Sequence, residues 1–115
     1  MTVNESADNS SSSKVKKIAH ENLRIEQNDD RGRYDLWQGD QFIGFMGYHV
    51  LDDGVVEIQH TIIDEKFGRQ GYARALVTLV LDKLRGEGKK IFPQCSYTND
   101  YLSRYPEYKD LVART

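Results

Sequence analysis

The stretch Phe67-Gly68-Arg69-Gln70-Gly71-Tyr72-Ala73-Arg74 decides how this chain is read. Ahead of it lies an apolar run ending His60-Thr61-Ile62-Ile63, and behind it a helical pattern begins near Ala73. A glycine-bearing loop that opens directly into a helix aims unpaired backbone N–H groups, and the positive end of the helix dipole, at one spot. Such a spot binds phosphate. A P-loop would follow its last glycine with Lys-Ser or Lys-Thr, where Tyr72 and Ala73 stand here; a dinucleotide fingerprint would need three glycines at fixed offsets, and only Gly68 and Gly71 are present. The loop suits a diphosphate held by main chain alone. A tight strand-to-helix turn with no ligand accounts for two glycines equally well.

Downstream, Leu76, Val77, Val80, Leu81 and Leu84 recur at helical spacing, Leu79 widens the stripe, and Gly86 and Gly88 stop it, which predicts a helix over 73–85. Lys90 to Tyr97 reads as a fifth strand, parallel to the fourth because a helix intervenes. Thr98 or Asn99 then caps a short helix through Tyr105, Pro106 breaks it, and Glu107 to Val112 forms a last helical turn or two. Upstream, Leu23 to Glu26, Tyr34 to Trp37, Gln41 to Leu51 and Val55 to Ile63 are strand-like. They are separated by the turn residues Asn28-Asp29-Asp30-Arg31-Gly32, Gly39-Asp40 and Asp52-Asp53-Gly54. The expected fold class is α+β: an antiparallel meander of four strands, then strand-loop-helix-strand with the fifth strand parallel to the fourth, and short C-terminal helices.

With 115 residues there is room for one compact domain. Residues 1–17 are polar, include Ser10 to Ser13, and hold almost nothing to bury, so they read as a disordered tail before a domain spanning 18–115. The basic cluster Lys14, Lys16 and Lys17 reads as a solvated charge run. A formal net charge of −2 argues against a nucleic-acid binder held by bulk electrostatics. A single cysteine, Cys95, excludes an internal disulfide and a zinc site of several thiolates, and no metal site is expected. No apolar run approaches the roughly 20 residues of a membrane span, and no signal-peptide core opens the chain. A soluble cytoplasmic protein is the expectation.

The order of elements and the loop together resemble the GNAT superfamily of acetyl-CoA-dependent N-acetyltransferases. There a meander leads into a strand, a loop of pattern Gln/Arg-x-x-Gly-x-Gly/Ala, and a helix whose N-terminus takes the diphosphate of coenzyme A. Gly71 and Ala73 match the last two marked positions; Gly68 stands where Gln or Arg is expected, with Arg69 one place late. Pro93-Gln94-Cys95-Ser96-Tyr97, Tyr101, Tyr105-Pro106-Glu107-Tyr108 and His60-Thr61 sharpen the match to a small single-domain GNAT-like family with a Pro-x-Cys-x-Tyr strand and a terminal Pro-Glu-Tyr segment. The resemblance covers about residues 20–112.

It implies an acetyl-CoA site built from the loop, Gly68, Arg69, Gln70, Gly71, Tyr72, Ala73 and Arg74, with Thr61, Ile62 and Ile63 alongside the pantetheine through their main chain and Tyr97 closing over it. For catalysis it implies Glu57 as general base from the fourth strand, and Tyr101, one turn into the following helix, as the acid for the departing thiolate. His60 is a second candidate base. Strict alternation would put Glu57, Gln59 and Thr61 on one face and His60 on the other, so both bases reach one amine only if a bulge lies between them. Cys95, read as facing the gap between the last two strands, is a candidate nucleophile that would carry the acetyl group; burial as a small hydrophobe is the plain alternative. Trp37, Tyr105 and Tyr108 are assigned to packing.

The function so implied is transfer of acetyl from acetyl-CoA to a primary amine, on a protein lysine, an N-terminus or a small molecule. The alternative from another class is an acyl-CoA-binding module without turnover. With the first strand starting near Leu23, little sequence is left for a helical pair between the first two strands, and a more open acceptor site follows.

Overall fold

The computed structural model describes residues 22–113, and the tail expected over 1–17 lies outside the described residues. The elements are β1 (Leu23–Asn28), β2 (Arg33–Gln38), β3 (Gln41–Val50), β4 (Val56–Ile63), a 3-10 turn (Glu65–Phe67), α1 (Tyr72–Gly86), β5 (Ile91–Pro93), α2 (Ser96–Arg104) and a 3-10 segment (Pro106–Leu111). One sheet runs β1-β2-β3-β4-β5, antiparallel through β4 and parallel between β4 and β5. That is the expected fold class. A last parallel bridge joins Ile91 to Val112.

Two successive parallel connections run from β4 to β5 through α1 and from β5 to Val112 through α2, and both helices contribute to one core, with Thr78 of α1 touching Tyr101 of α2. The core lies between these helices and one face of the sheet. Leu76, Val77, Val80, Leu81 and Leu84 of α1 pack with Tyr34, Leu36, Ile43, Met46, Ile58 and Ile91 of the strands and with Tyr101, Leu102 and Leu111 of the C-terminal segments. Full burial stabilises such a side chain by about 1.5–3 kcal/mol, so the apolar stripe read from the sequence is what docks α1. The opposite face holds a polar and aromatic layer in which the Arg33 guanidinium lies 4.5 Å from the Phe45 ring and pairs with Asp35 at 2.6 Å.

Two expectations are corrected. The fifth strand is three residues, Ile91–Pro93, and Lys90 to Tyr97 does not continue as a strand because α2 starts at Ser96. Its N-cap is Cys95, not Thr98 or Asn99; Asn99 instead donates its side-chain amide to the Cys95 and Pro93 carbonyls at 3.1 and 3.4 Å, folding the strand end into the helix.

Irregular register decides which side chains face the helices. Tyr48 pairs with Ile58 but Met46 with Thr61, so three steps along β4 match two along β3 and an extra residue sits at Gln59 and His60. Val56 and Ile58 face the core before this bulge, and Ile63 packs against the core after it, while His60 and Ile62 are exposed. At Gly44 and Gly47 of β3 the atoms of β4 lie close over the Cα. A Cβ on Gly44 would fall 2.3 Å from the Ile62 carbonyl oxygen, and one on Gly47 would fall 3.1 Å from Gln59 Oε1.

Gly44→Ala is therefore expected to force β3 and β4 apart at the end that leads into the glycine loop. Overpacking of this kind costs about 1–3 kcal/mol, and in a domain of this size the melting temperature should fall by at least roughly 5 °C. An unchanged Tm in a thermal melt would show that the strand pair has slack.

Candidate active site

The loop is built by backbone geometry more than by side chains. Asp64 caps the 3-10 turn by accepting the Lys66 N–H at 3.1 Å, and the Gly68 N–H is consumed by the Glu65 carbonyl at 3.0 Å. Arg69 at φ 62° and Gly71 at φ 90° then reverse the chain into α1. Gly71 is the N-cap, in the left-handed conformation and with no side chain to bond the helix. The first helical bond runs from the Ala75 N–H to the Gly71 carbonyl, so the N–H groups of Tyr72, Ala73 and Arg74 have no acceptor within the helix. These donors, with the positive end of a fifteen-residue helix behind them, fit a diphosphate.

The side chains around the cradle divide. Tyr72 belongs to the scaffold, its hydroxyl donating to Gln38 Oε1 at 2.7 Å and its ring edge against Phe67. Gln70 reaches back to the Lys66 carbonyl at 3.5 Å. Arg74 lies on the outward side of α1, in the wall of a groove. Arg74 brings its guanidinium to the helix entrance, where a Cβ on Gly71 would lie 3.4 Å from its Nη2.

A cleft opens beside this loop because the parallel pairing is short. β5 follows β4 through Val56↔Ile91, Glu57↔Phe92 and Ile58↔Pro93, and the Gln94 N–H to Ile58 carbonyl bond at 2.8 Å is the last link. From Gln59 to Ile63, β4 pairs with β3 alone. Its other edge offers main-chain donors and acceptors to any extended chain that carries amides of its own. Thr61, Ile62 and Ile63, expected to serve a ligand through their backbone, lie on that stretch. The exposure of Ile62, 46%, shows that its side chain is not core; Ile63 is.

The bulge at Gln59 and His60 brings the two candidate bases onto one face. Glu57 lies opposite the core between buried Val56 and Ile58, and His60 is exposed with its ring 6.4 Å from that of Phe45, a residue of the same outer layer. Glu57 is cross-strand from His49 and accepts a hydrogen bond from Gln59 Nε2 at 3.2 Å. Thr61, past the bulge, turns to the helix side.

Cys95 sits on that helix side. Its sulfur is 4.0 Å from Thr61 Oγ1, across the cleft, at the entry to α2. Burial alone would raise the thiol pKa, but the N–H groups of Thr98 and Tyr97 and the Thr61 hydroxyl and backbone turn towards the sulfur and bring it below the ordinary value. The linear reading had Thr61 only as a main-chain contact. Its hydroxyl partnership with the cysteine had no local signal, because it depends on where β5 ends.

Tyr97 falls in the first turn of α2, 39% exposed, where burial pushes its hydroxyl up while Arg74 and Arg104 pull it down. Tyr101 is buried, and its hydroxyl lies 2.6 Å from Thr78 Oγ1. Thr78 has one proton and uses it on the Arg74 carbonyl at 2.9 Å, so Tyr101 is the donor of the pair. The Tyr101 hydroxyl is thus turned to α1, and burial raises its pKa. The structure therefore gathers the loop, the free edge of β4, Thr61 and Cys95 around one cleft, holds Glu57 and His60 on the far face of the same strand, and holds Tyr101 in the α1–α2 contact.

A structural likeness covers 82% of this chain and 91% of a GCN5-like putative N-acetyltransferase from Staphylococcus aureus solved by NMR, at TM-score 0.60 and 23% identity, and supports the fold. A ribosomal-protein-alanine N-acetyltransferase from Brucella melitensis biovar Abortus 2308 is matched over 76% of this chain and 66% of its own, at TM-score 0.48 and 19% identity. No protein of curated function matches the sequence significantly. Among the described residues no helix is long and apolar enough to cross a membrane. The model of the GCN5-related N-acetyltransferases matches residues 33–111, which take in β2, the bulged strand, the loop and Cys95, and the chain belongs to that family of acetyl-transferring enzymes.

Proposed function

We propose that this enzyme takes acetyl from acetyl-CoA and places it on a primary amine, with a protein lysine or N-terminus favoured over an enclosed small molecule, and that it belongs to the small single-domain branch marked by the Pro-x-Cys-x-Tyr stretch. The observation that carries the reading is the meeting of two unsatisfied main-chain surfaces, the N-terminus of α1 and the free edge of β4, at the cleft occupied by Cys95. The openness of the acceptor side follows from the β1–β2 connection, a tight turn over residues 29–32 where no helix intervenes. A cytoplasmic setting with free thiols suits the single unpaired cysteine.

Acetyl-CoA, when bound, supplies the activated acyl group. The chain's own groups do the rest. N–H groups of Tyr72 to Arg74 hold the diphosphate, and the β4 edge from Gln59 to Ile63 aligns the pantetheine amides. In direct transfer, Glu57 or His60 takes the proton of the incoming ammonium from the open face of the sheet, the free amine attacks the acyl carbon through the cleft, the bond between that carbon and the coenzyme's sulfur breaks, and the second proton shed by the nitrogen goes to the departing thiolate. In the covalent route the Cys95 thiolate attacks first from the helix face, the bond between the acyl carbon and the coenzyme's sulfur breaks, and the acetyl group passes from Cys95 to the amine. Because the bases and the cysteine flank the cleft from opposite faces, the two routes use separate residues.

That separation makes the routes distinguishable. Under direct transfer, Glu57→Gln or His60→Ala should lower kcat by about 10²- to 10⁴-fold while Cys95→Ser costs little. Under covalent transfer, Cys95→Ser should keep coenzyme A affinity and lose nearly all turnover, and mass spectrometry of the wild type with acetyl-CoA alone should show an acetyl adduct on Cys95. Full activity of Cys95→Ser on a proven acceptor eliminates the covalent route. Binding of acetyl-CoA with no turnover on any lysine peptide, N-terminus or amine would instead favour a binding module. The lowered thiol pKa also sets a chemical readout: alkylation of Cys95 by iodoacetamide should reach half its maximal rate below the pH at which a free cysteine does, roughly 8.5.

The placement of the diphosphate has its own test. Gly71→Val puts a β-branched residue at φ 90° and crowds the helix entrance, so coenzyme A binding measured by calorimetry should be abolished. A folded Gly71→Val protein with unchanged affinity would move the cofactor elsewhere.

A further inference from the structure

Gln59, inside the bulge of β4, stands between the two candidate bases in sequence, and its amide reaches back to Glu57, Nε2 to Oε1 at 3.2 Å. An ionised carboxylate only accepts, so the nitrogen end of the amide faces Glu57 and the oxygen end turns away from it. That oxygen lies over Gly47, where a Cβ would fall 3.1 Å from Gln59 Oε1 and 3.4 Å from Gln59 Cβ. Gly47 is directly opposite Arg33 of β2, whose guanidinium belongs to the outer layer of the sheet, so a side chain at 47 would rise on that same face, into the space of the amide. Gly47 is not one of the glycines with positive φ. Its backbone conformation does not call for glycine; the seat of the Gln59 amide does.

A fixed orientation matters for a base. Glu57 is half-buried on an open sheet face, and a glutamate there is free to turn through several rotamers, most of which would aim its carboxylate away from the cleft. The bond from Gln59 takes one carboxylate oxygen, Oε1, and leaves Oε2 for a proton. The amide brings no charge of its own to compete with an incoming ammonium.

We propose that Gln59 is a positioning residue for acyl transfer: seated over Gly47, its amide holds the Glu57 carboxylate by one oxygen and leaves the other to take the proton of the acceptor amine. This rests on the reading of Glu57 as the base of direct transfer.

The test uses the full chain with acetyl-CoA and a short lysine peptide. Gln59→Met keeps the length of the side chain and removes the donor. It should lower kcat by about 10- to 100-fold, the scale of one hydrogen bond to a charged group, with coenzyme A affinity and Tm unaltered. Gly47→Ala, which crowds the amide, should lower kcat in the same way, and the two changes together should cost no more than the larger alone. In a Glu57→Gln background, Gln59→Met should cost nothing further. Independently of turnover, the side-chain amide resonances of Gln59 should shift with pH as Glu57 titrates and lose that shift in Glu57→Gln, whereas a shift caused by His49 or His60 on the same face would persist. Full turnover of Glu57→Gln removes the base and this proposal with it. A crippled Glu57→Gln beside a Gln59→Met enzyme within about twofold of the wild type leaves the base standing and overturns the positioning role alone. An equal loss from Gln59→Met in the presence and absence of Glu57, or Gln59 amide resonances blind to Glu57, also overturns it.

Discussion

β4 must satisfy two neighbours of unequal length, and the site depends on that mismatch. β3 accompanies it to Ile63, while β5 leaves after Ile58. A central strand in a sheet normally has both edges bonded; here half of one edge is left open inside the protein, next to a helix N-terminus whose donors are open too. Two sets of unsatisfied backbone groups side by side are costly in an empty interior and stable against water or a ligand that bonds them. The architecture brings both sets of open backbone groups to one cleft.

The bulge at Gln59 and His60 is the second half of the same arrangement. Without it, β4 would present Val56, Ile58, His60 and Ile62 to the core, burying an imidazole and exposing Ile63. With it, Ile63 reaches the core and His60 joins Glu57 on the open face. Thr61 is simultaneously turned to Cys95. One inserted residue thus sorts a face carrying Glu57 and His60 from a face carrying Thr61 and Cys95, and Gly47 opposite the bulge and Gly44 beyond it leave room for the backbone to make the adjustment.

Much of this was legible in the sequence where local rules dominate. The hairpin turn at Asp52-Asp53-Gly54, the apolar stripe of α1 and its glycine stop all specify structure within a few residues, and the meander and helix followed. The glycine loop was legible for the same reason, since a left-handed Gly71 at a helix entrance is a local backbone requirement. The bulge could be posed only as a condition for two bases to act together, because it arises from register against β3 and from the clearance at Gly44, neither of which is local. The end of β5 was misread for a related reason. Ile91-Phe92-Pro93-Gln94-Cys95 has strand-like composition throughout, and what ends the strand at Pro93 is the Asn99 amide reaching back to two carbonyls.

That early end changes the character of the cysteine. On a strand, Cys95 would have been a small residue with one face to the core and an ordinary thiol. As the residue that opens α2, its sulfur meets the N–H groups of the first turn, and the dipole of the helix favours the thiolate. Burial opposes this, but the N–H groups of Thr98 and Tyr97, with Thr61 approaching from across the cleft, outweigh it and bring the thiol below its ordinary value. The chemistry available at Cys95 is therefore a consequence of three separate backbone decisions: β5 stopping at Pro93, α2 beginning at Ser96, and the bulge in β4 turning Thr61 inward. Lengthening β5 by two residues would withdraw the helix N–H groups, and removing the bulge would withdraw the hydroxyl; either change removes a group that favours the charged sulfur against the burial that opposes it.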